Sequence, residues 1–440
     1  MQGRYYLRSF GCQMNEHDAE RIRALLEARG LERADEAHDA DVLVYNTCTV
    51  RKSADERLAG HLGTAARLKR EDPSRVVLVT GCLPQAEQAE FFARFPFVDG
   101  ALGPQNLHRL PDLLEAAVLP AGAGPAGFFE DGPHLSGRLA ARRERPFQAW
   151  VQVMSGCTNF CTYCIVPYVR GPERSRSLDE IAGEVRALVA DGVREVTLLG
   201  QNVNAYGRDL RGGGEAAPSF AGLLRELDAV EGLDRIRFMT SHPKDLGDDL
   251  VAAVAELPSV CEHVHLPAQA GSDRVLRGMR RAYTSAEYLD RVRALRAAVP
   301  DVSLTTDLIA GFPGETEQEF EQTLELVREA AFDAAFTFVF SPRPGTAAAD
   351  LPDQVPAEVR RERVERLIDL TQRQALASRQ AWVGRRAEVL VEGASRDDRL
   401  RRGRTRQNVT VNLSGAVEPG AIVTVEVTAA TSTTLRGVTV

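Results

Sequence analysis

Ser155-Gly156-Cys157-Thr158-Asn159-Phe160-Cys161-Thr162-Tyr163-Cys164-Ile165-Val166-Pro167 places three cysteines, at spacings of four and three, in one short loop behind an apolar run at residues 149–154. Such a loop can wrap its thiolates around a single small cluster, because thiolate is the usual ligand of iron–sulfur centres. Three ligands leave one iron of a four-iron cluster open to something that is not protein. Tyr163, just before the last cysteine, suits a shielded pocket around that open iron. The competing readings are a zinc loop and buried, inert thiols. Structural zinc is closed by four ligands, usually from two separated pairs, and no second pair lies nearby.

The pattern Cys157-x3-Cys161-x2-Cys164 resembles the signature of the radical S-adenosylmethionine (SAM) enzymes. That resemblance implies a [4Fe-4S] cluster whose open iron binds the amino and carboxylate groups of SAM. An electron from the cluster then releases a 5′-deoxyadenosyl radical that abstracts hydrogen. In such enzymes the protein holds the cofactor, orients it and excludes water.

The 440 residues allow two to four domains. A hydrophobic content of 44% and a charged content of 26% are ordinary for a soluble globular protein. No apolar run reaches the length of a membrane span and no signal segment is recognisable, so no membrane contact and a cytoplasmic location are expected. The net charge of −8 argues against indiscriminate nucleic-acid binding. Seven cysteines, an odd number spread through a long chain, favour metal or redox work over a disulfide framework.

Residues 1–120 alternate strand and helix, with strands at 5–10, 41–46 and 75–80 and helices at 15–29 and 54–69. Continuous apolar strands between helices predict a parallel sheet covered on both faces. Cys12, Cys48 and Cys82 each follow one of these strands by one or two residues, two of them behind glycine. All three should emerge at the carboxyl edge of one sheet, where open α/β folds place ligands. This reads as a second three-cysteine cluster site.

Residues 121–146 have linker composition, with Pro, Gly and a basic run at 142–145. From 147 to 375 the alternation resumes, with strands expected at 149–154, 195–199, 235–239, 262–266, 302–309 and 335–340. Six parallel strand–helix units predict a partial (β/α)6 barrel with function in the loops after the strands. Three of those loops are candidates for cofactor contacts: Gly200-Gln201-Asn202, the segment with Gln269, Ser272 and Asp273, and the glycine-rich stretch from Thr305 through Asp307 and Gly311 to Glu315. Polar side chains there suit ribose hydroxyls, and a glycine-rich helix start suits a carboxylate or ribose. For each, the plain alternative is a tight strand-to-helix turn. His263 and His265 share a strand face without further ligands, and Cys261 stands apart from both trios; all three read as structural. Residues 355–380 read as an amphipathic helix leading into the tail.

From 379 onward short alternating strands at 386–392, 408–413, 422–428 and 433–440 predict a small antiparallel β-barrel. This tail carries ten arginines against six acidic residues. Its cluster Arg399, Arg401, Arg402, Arg404 and Arg406 is a phosphate-binding candidate, weighed against a solvated loop. Gly403-Arg404-Thr405-Arg406-Gln407-Asn408 resembles the RNA-binding TRAM domain.

Together with Phe10-Gly11-Cys12-Gln13-Met14-Asn15, Asn46-Thr47-Cys48, Thr240-Ser241-His242-Pro243 and Ser341-Pro342-Arg343-Pro344-Gly345, these motifs resemble the radical SAM methylthiotransferases, in that family's three-domain order over nearly the whole chain. Within the family, the motifs around Cys12 and Gln201 favour the branch that acts on N6-isopentenyl adenosine beside the tRNA anticodon. The resemblance implies two [4Fe-4S] clusters, one on Cys157, Cys161 and Cys164 that cleaves SAM and one on Cys12, Cys48 and Cys82 that delivers sulfur. It also implies a methylthio group placed on C2 of the adenine, a low-potential donor of the flavodoxin or ferredoxin type, a sulfur source, and action as a monomer. Ala270 departs from the serine expected there. The alternatives are a sibling enzyme acting on threonylcarbamoyl adenosine or on a ribosomal-protein aspartate, and an iron–sulfur electron carrier with an RNA-binding tail.

Overall fold

The computed structural model describes residues 3–49, 52–118, 124–132, 136–210 and 217–440. Residues 119–120 at the end of the first unit and 121–123 and 133–135 of the expected linker lie outside the described residues.

The first unit is a parallel sheet of β1 (Gly3–Ser9), β2 (Leu31–Arg33), β3 (Val42–Thr47), β4 (Val76–Gly81), β5 (Gly100–Leu102) and β6 (Ala126–Phe128), in the order β2-β1-β3-β4-β5-β6. Residues of β3 and β4 are wholly buried. Separate apolar clusters fill the two faces, one around Leu43, Tyr45 and Val79 and the other around Val42, Val44 and Leu78. Both faces are thus covered, as continuous apolar strands require. The three short strands β2, β5 and β6 have no readable periodicity. The last of them falls where linker was expected and completes the sheet by pairing with β5.

The central unit contains β7 (Gln148–Gln152), a two-stranded ribbon of β8 (Met154–Ser155) and β9 (Arg174–Ser175), then β10 (Glu195–Leu199), β11 (Arg235–Phe238), β12 (His263–His265), β13 (Ser303–Ala310) and β14 (Ala334–Val339). Two three-stranded parallel sheets, β7-β10-β11 and β12-β13-β14, are joined by a bridge between Ile236 and Val260. The result is a six-stranded partial barrel, open between β7 and β14. Its helices bury Leu, Val and Phe rows against the strands. Helices Ser285–Ala298 and Glu317–Ala330 start on reciprocal caps, Thr284 with Glu287 and Thr316 with Glu319. The long helix Ala357–Gln380 packs along β14.

The tail is a closed barrel of β15 (Arg386–Ala394), β16 (Arg401–Thr405), β17 (Thr410–Ser414), β18 (Ile422–Ala430) and β19 (Thr434–Thr439). Two features differ from expectation. The arginine-rich stretch is itself a strand, with Gly403 and Thr405 buried and Arg402 and Arg404 on the opposite face. The pair β17–β19 runs parallel, so the barrel is not purely antiparallel. Among the described residues no helix is long and apolar enough to cross a membrane.

Candidate active site

The loops after β1, β3 and β4 meet at one edge of the first sheet. The Cys12 thiol donates to Asn15 Oδ1 at 3.4 Å and lies beside the Cys48 thiol. Asn15 is the local hub: its Oδ1 accepts from the Cys12 amide at 3.2 Å, and its Nδ2 donates to Asn46 Oδ1 at 3.1 Å and to the Thr47 carbonyl at 2.9 Å. Thr80 Oγ1 donates to the same Asn46 oxygen at 3.3 Å, which ties in the third strand and Cys82. Gly11, at φ +147°, leaves room for this; a Cβ there would lie 2.4 Å from Cys48 Cβ. Asn15 and Asn46 stand in the quoted motifs, but their bracing role depends on strand neighbours that a linear reading does not reveal.

The second trio sits behind β7. Gly156, at φ +79°, turns the chain where a Cβ would come within 1.9 Å of the Pro172 carbonyl. Gln201 Oε1 accepts from the Gly156 amide at 2.6 Å, so the loop after β10 braces the cysteine loop. Thr162 donates to the Gly278 carbonyl at 2.8 Å, and Arg281 Nη1 donates to Cys161 Sγ at 3.5 Å. Arg281 is buried and carries no local sequence signal for this contact.

Their surroundings separate the thiols. The neighbouring Cys48 thiol, aided by the Arg170 guanidinium, lowers Cys12 to about 6. Burial pushes Cys82 and Cys157 up and takes Cys164 to about 12. Among the described residues no three His, Cys, Asp or Glu side chains gather as tightly as one enclosed metal ion requires. A cluster asks for less crowding than a single zinc ion, because each thiolate takes a different iron.

A cavity of about 690 Å³ opens beside both loops, lined by Thr49 next to Cys48, by Tyr163 and Cys164, by Gln269 and Asp307, and by Phe338 and Phe340. That size is ordinary for a cofactor site. Thr49 Oγ1 is buried there without a hydrogen-bond partner. Gln269 holds φ +69° between backbone bonds to Asp307 and Ile309.

The other expected contacts lie elsewhere. Gly200 packs on Met154. Asn202 donates to Asp245 at 2.8 Å, and neither residue lines the cavity. Ser272 caps helix Asp273–Gly278 and donates to Glu319, so its hydroxyl is already committed. Ala270, where serine was expected, is fully buried in the barrel core. The glycine-rich loop is closed by its own carboxylate: Glu315 Oε2 accepts from the Gly311 amide at 2.8 Å and from Arg363 at 2.9 Å. His263 and His265 both bond Thr305 Oγ1, in keeping with a structural role.

The arginines of the tail divide. Arg399 is exposed and pairs only locally with Asp397, while Arg401 and Arg402 remain partly open, the latter 3.5 Å from Glu392. Arg404 bonds Glu392 at 2.9 Å and Asn408 at 3.0 Å. Arg406 bonds Glu262 twofold and the Pro258 and Val260 carbonyls. In return Arg235 and Arg237 on β11 donate to the carbonyls of Arg404, Thr405 and Arg406. Arg404 and Arg406 therefore hold the tail together and to the barrel.

Residues 4–103 match a family described only as uncharacterized protein family UPF0004, residues 151–327 the radical SAM superfamily, and residues 380–440 the TRAM domain. Among solved structures, a radical SAM methyltransferase from Kitasatospora setae superposes with a TM-score of 0.58 at 14% identity, over 79% of this chain and 75% of its own, a likeness of fold. Curated relatives named tRNA-2-methylthio-N(6)-dimethylallyladenosine synthase are 47% identical in Caldicellulosiruptor saccharolyticus, over 93% of this chain and 86% of the relative. In Carboxydothermus hydrogenoformans the figure is 46%, over 99% of both chains. In Acidothermus cellulolyticus it is 48%, over 97% of this chain and 86% of the relative. Identity at that level across all three units places the chain in the family of radical SAM tRNA-2-methylthio-N(6)-dimethylallyladenosine synthases.

Proposed function

We propose that this protein adds a methylthio group to C2 of N6-isopentenyl adenosine beside the anticodon of tRNA. The observation that carries the reading is one cavity bordered both by Thr49, next to Cys48, and by Cys164 of the other trio. Cys157, Cys161 and Cys164 would hold the SAM-cleaving [4Fe-4S] cluster, and Cys12, Cys48 and Cys82 the auxiliary cluster. When bound, these groups and two SAM molecules supply a hydrogen-abstracting radical, a sulfur atom and its methyl group, chemistry that no acid or base offers at an unactivated aromatic C–H.

The chain's own residues bind, orient and shield. Gln201 fixes the Gly156 turn and so presents Cys157. Arg281 supports the Cys161 sulfur. Gln269 and Asp307 offer hydrogen bonds to ribose hydroxyls from the cavity wall, and Phe338 and Phe340 exclude water from it. Arg399, Arg401 and Arg402 are the tail's contacts to tRNA phosphates. Residues 126–128 complete the first sheet, so the first functional unit extends through them. A flavodoxin- or ferredoxin-type donor, a sulfur source, a cytoplasmic setting and a monomeric state complete the proposal.

The test is anaerobic reconstitution with SAM, a reductant, sulfide and isopentenylated tRNA, followed by mass spectrometry of the nucleosides. A methylthio product abolished by Cys12→Ala or Cys157→Ala is expected. SAM cleavage without this product, but with product on threonylcarbamoyl tRNA or a ribosomal-protein aspartate, would assign a sibling's substrate. No SAM cleavage at full iron loading would leave an electron carrier.

A further inference from the structure

Arg170 ends the short helix Val166–Arg170, six positions after Cys164, yet its side chain works in the first unit. Arg170 is 5% exposed, and its guanidinium lies within electrostatic reach of the Cys82 and Cys12 thiols. Its Nη2 stands 3.8 Å from Asp18 Oδ2 and, although buried, has no hydrogen-bond partner. Asp18 is itself engaged by His17 Nδ1 at 3.1 Å. The main chain is pinned as well, since Gln105 Nε2 donates to the Arg170 carbonyl at 2.8 Å. The helix packs against Cys82–Glu87. A buried cation with an unused donor is costly unless negative charge lies beside it. A thiolate-ligated cluster is such a charge.

We propose that Arg170 is a positioning residue joining the two cysteine sets: from the segment that follows one trio, it donates hydrogen bonds to Cys82 and to the iron–sulfur group held by Cys12, Cys48 and Cys82, raising that group's reduction potential. The proposal rests on the reading of those three cysteines as ligands. N–H donors and positive charge at a cluster's sulfurs stabilise the added electron, and outer partners of this kind orient the ligands.

The experiment uses the full chain with Cys157, Cys161 and Cys164 changed to alanine, so that only the first trio can bind. Iron and sulfide content, the electron paramagnetic resonance spectrum and the midpoint potential are measured in this parent and after Arg170→Met and Arg170→Lys. Loading of all three, with the potential lowered and the spectrum altered in Arg170→Met and largely restored in Arg170→Lys, is the expected result. Loss of loading in Arg170→Met alone, with its melting temperature retained, supports the same role. Full loading with unchanged potential and spectrum in Arg170→Met overturns it, as does equal loss in Met and Lys variants. A parent that binds no iron refutes the ligand reading itself.

Discussion

Replacing Arg406 with methionine separates two roles that its sequence context does not distinguish. Methionine keeps much of the aliphatic stem and removes the guanidinium. The structure gives that group a twofold bond to Glu262, at 2.8–3.0 Å, and bonds of 2.9 and 2.7 Å to the Pro258 and Val260 carbonyls. Hydrogen bonds to charged groups contribute about 1.5–3 kcal/mol each, and less when partly exposed. Arg406 and Glu262 retain 18% and 25% side-chain exposure, so the contacts are discounted rather than summed. Arg406→Met should therefore cost about 3 kcal/mol at the junction of tail and barrel, roughly a hundredfold in its opening equilibrium. Native-state hydrogen exchange reads this directly: the Asn408 amide, which donates to the Thr405 carbonyl, and the Val409 amide, which donates to Thr405 Oγ1, should lose protection by that factor. The salt dependence of tRNA binding should not change. Unchanged protection, together with a salt slope reduced by about one, would make Arg406 a phosphate contact and refute the clamp.

Arg399→Gln with Arg402→Gln should do the opposite, lowering the salt slope of tRNA binding by about 1.5 while stability stays within about 0.5 kcal/mol. Gly156→Ala forces a Cβ onto the Pro172 carbonyl at φ +79°; a loss of more than about 2 kcal/mol and of iron from the second trio is expected, measured by thermal unfolding and iron assay. Burial raises Glu20 from 4.5 to about 7, so its protonated form is favoured by folding; that contribution is full below about pH 4.5 and is lost as pH rises through 7. Glu20→Gln should match the wild type near pH 4.5 and exceed it by about 2–3 kcal/mol above pH 7 in urea unfolding, and equal stabilities at pH 8 would refute the assignment.

The barrel and the first sheet were legible, as was the placement of the six cysteines in loops behind strands, because each repeats a local pattern, a buried strand followed by a loop with cysteine or glycine. Strands of three residues such as β5 and β6 carry no such period, and pairing alone defines them. Ser272 and Glu315 occupy loops of the right kind, but their polar atoms are claimed by Glu319, Gly311 and Arg363, and such claims are visible only in three dimensions. Arg170 meets Cys82 across 88 residues of sequence, and Arg237 meets Thr405 across 168. An arginine that docks one unit on another looks, in a linear reading, like any solvated charge. The five arginines of the tail therefore look alike in sequence and divide only in the fold.

The tail barrel is clasped at the amino ends of β11 and β12, through Arg235, Arg237 and Glu262, whereas the cavity lies toward the carboxyl ends of β12, β13 and β14. Glu262 and Gln269 bracket β12 and stand seven residues apart in the chain, so these stations lie at most roughly 25 Å apart. The catalytic barrel thus acts as a ruler. Under the proposed function, a free nucleoside would occupy only one end of it, while a folded stem and loop would touch both, so the length of the RNA would be part of what is recognised.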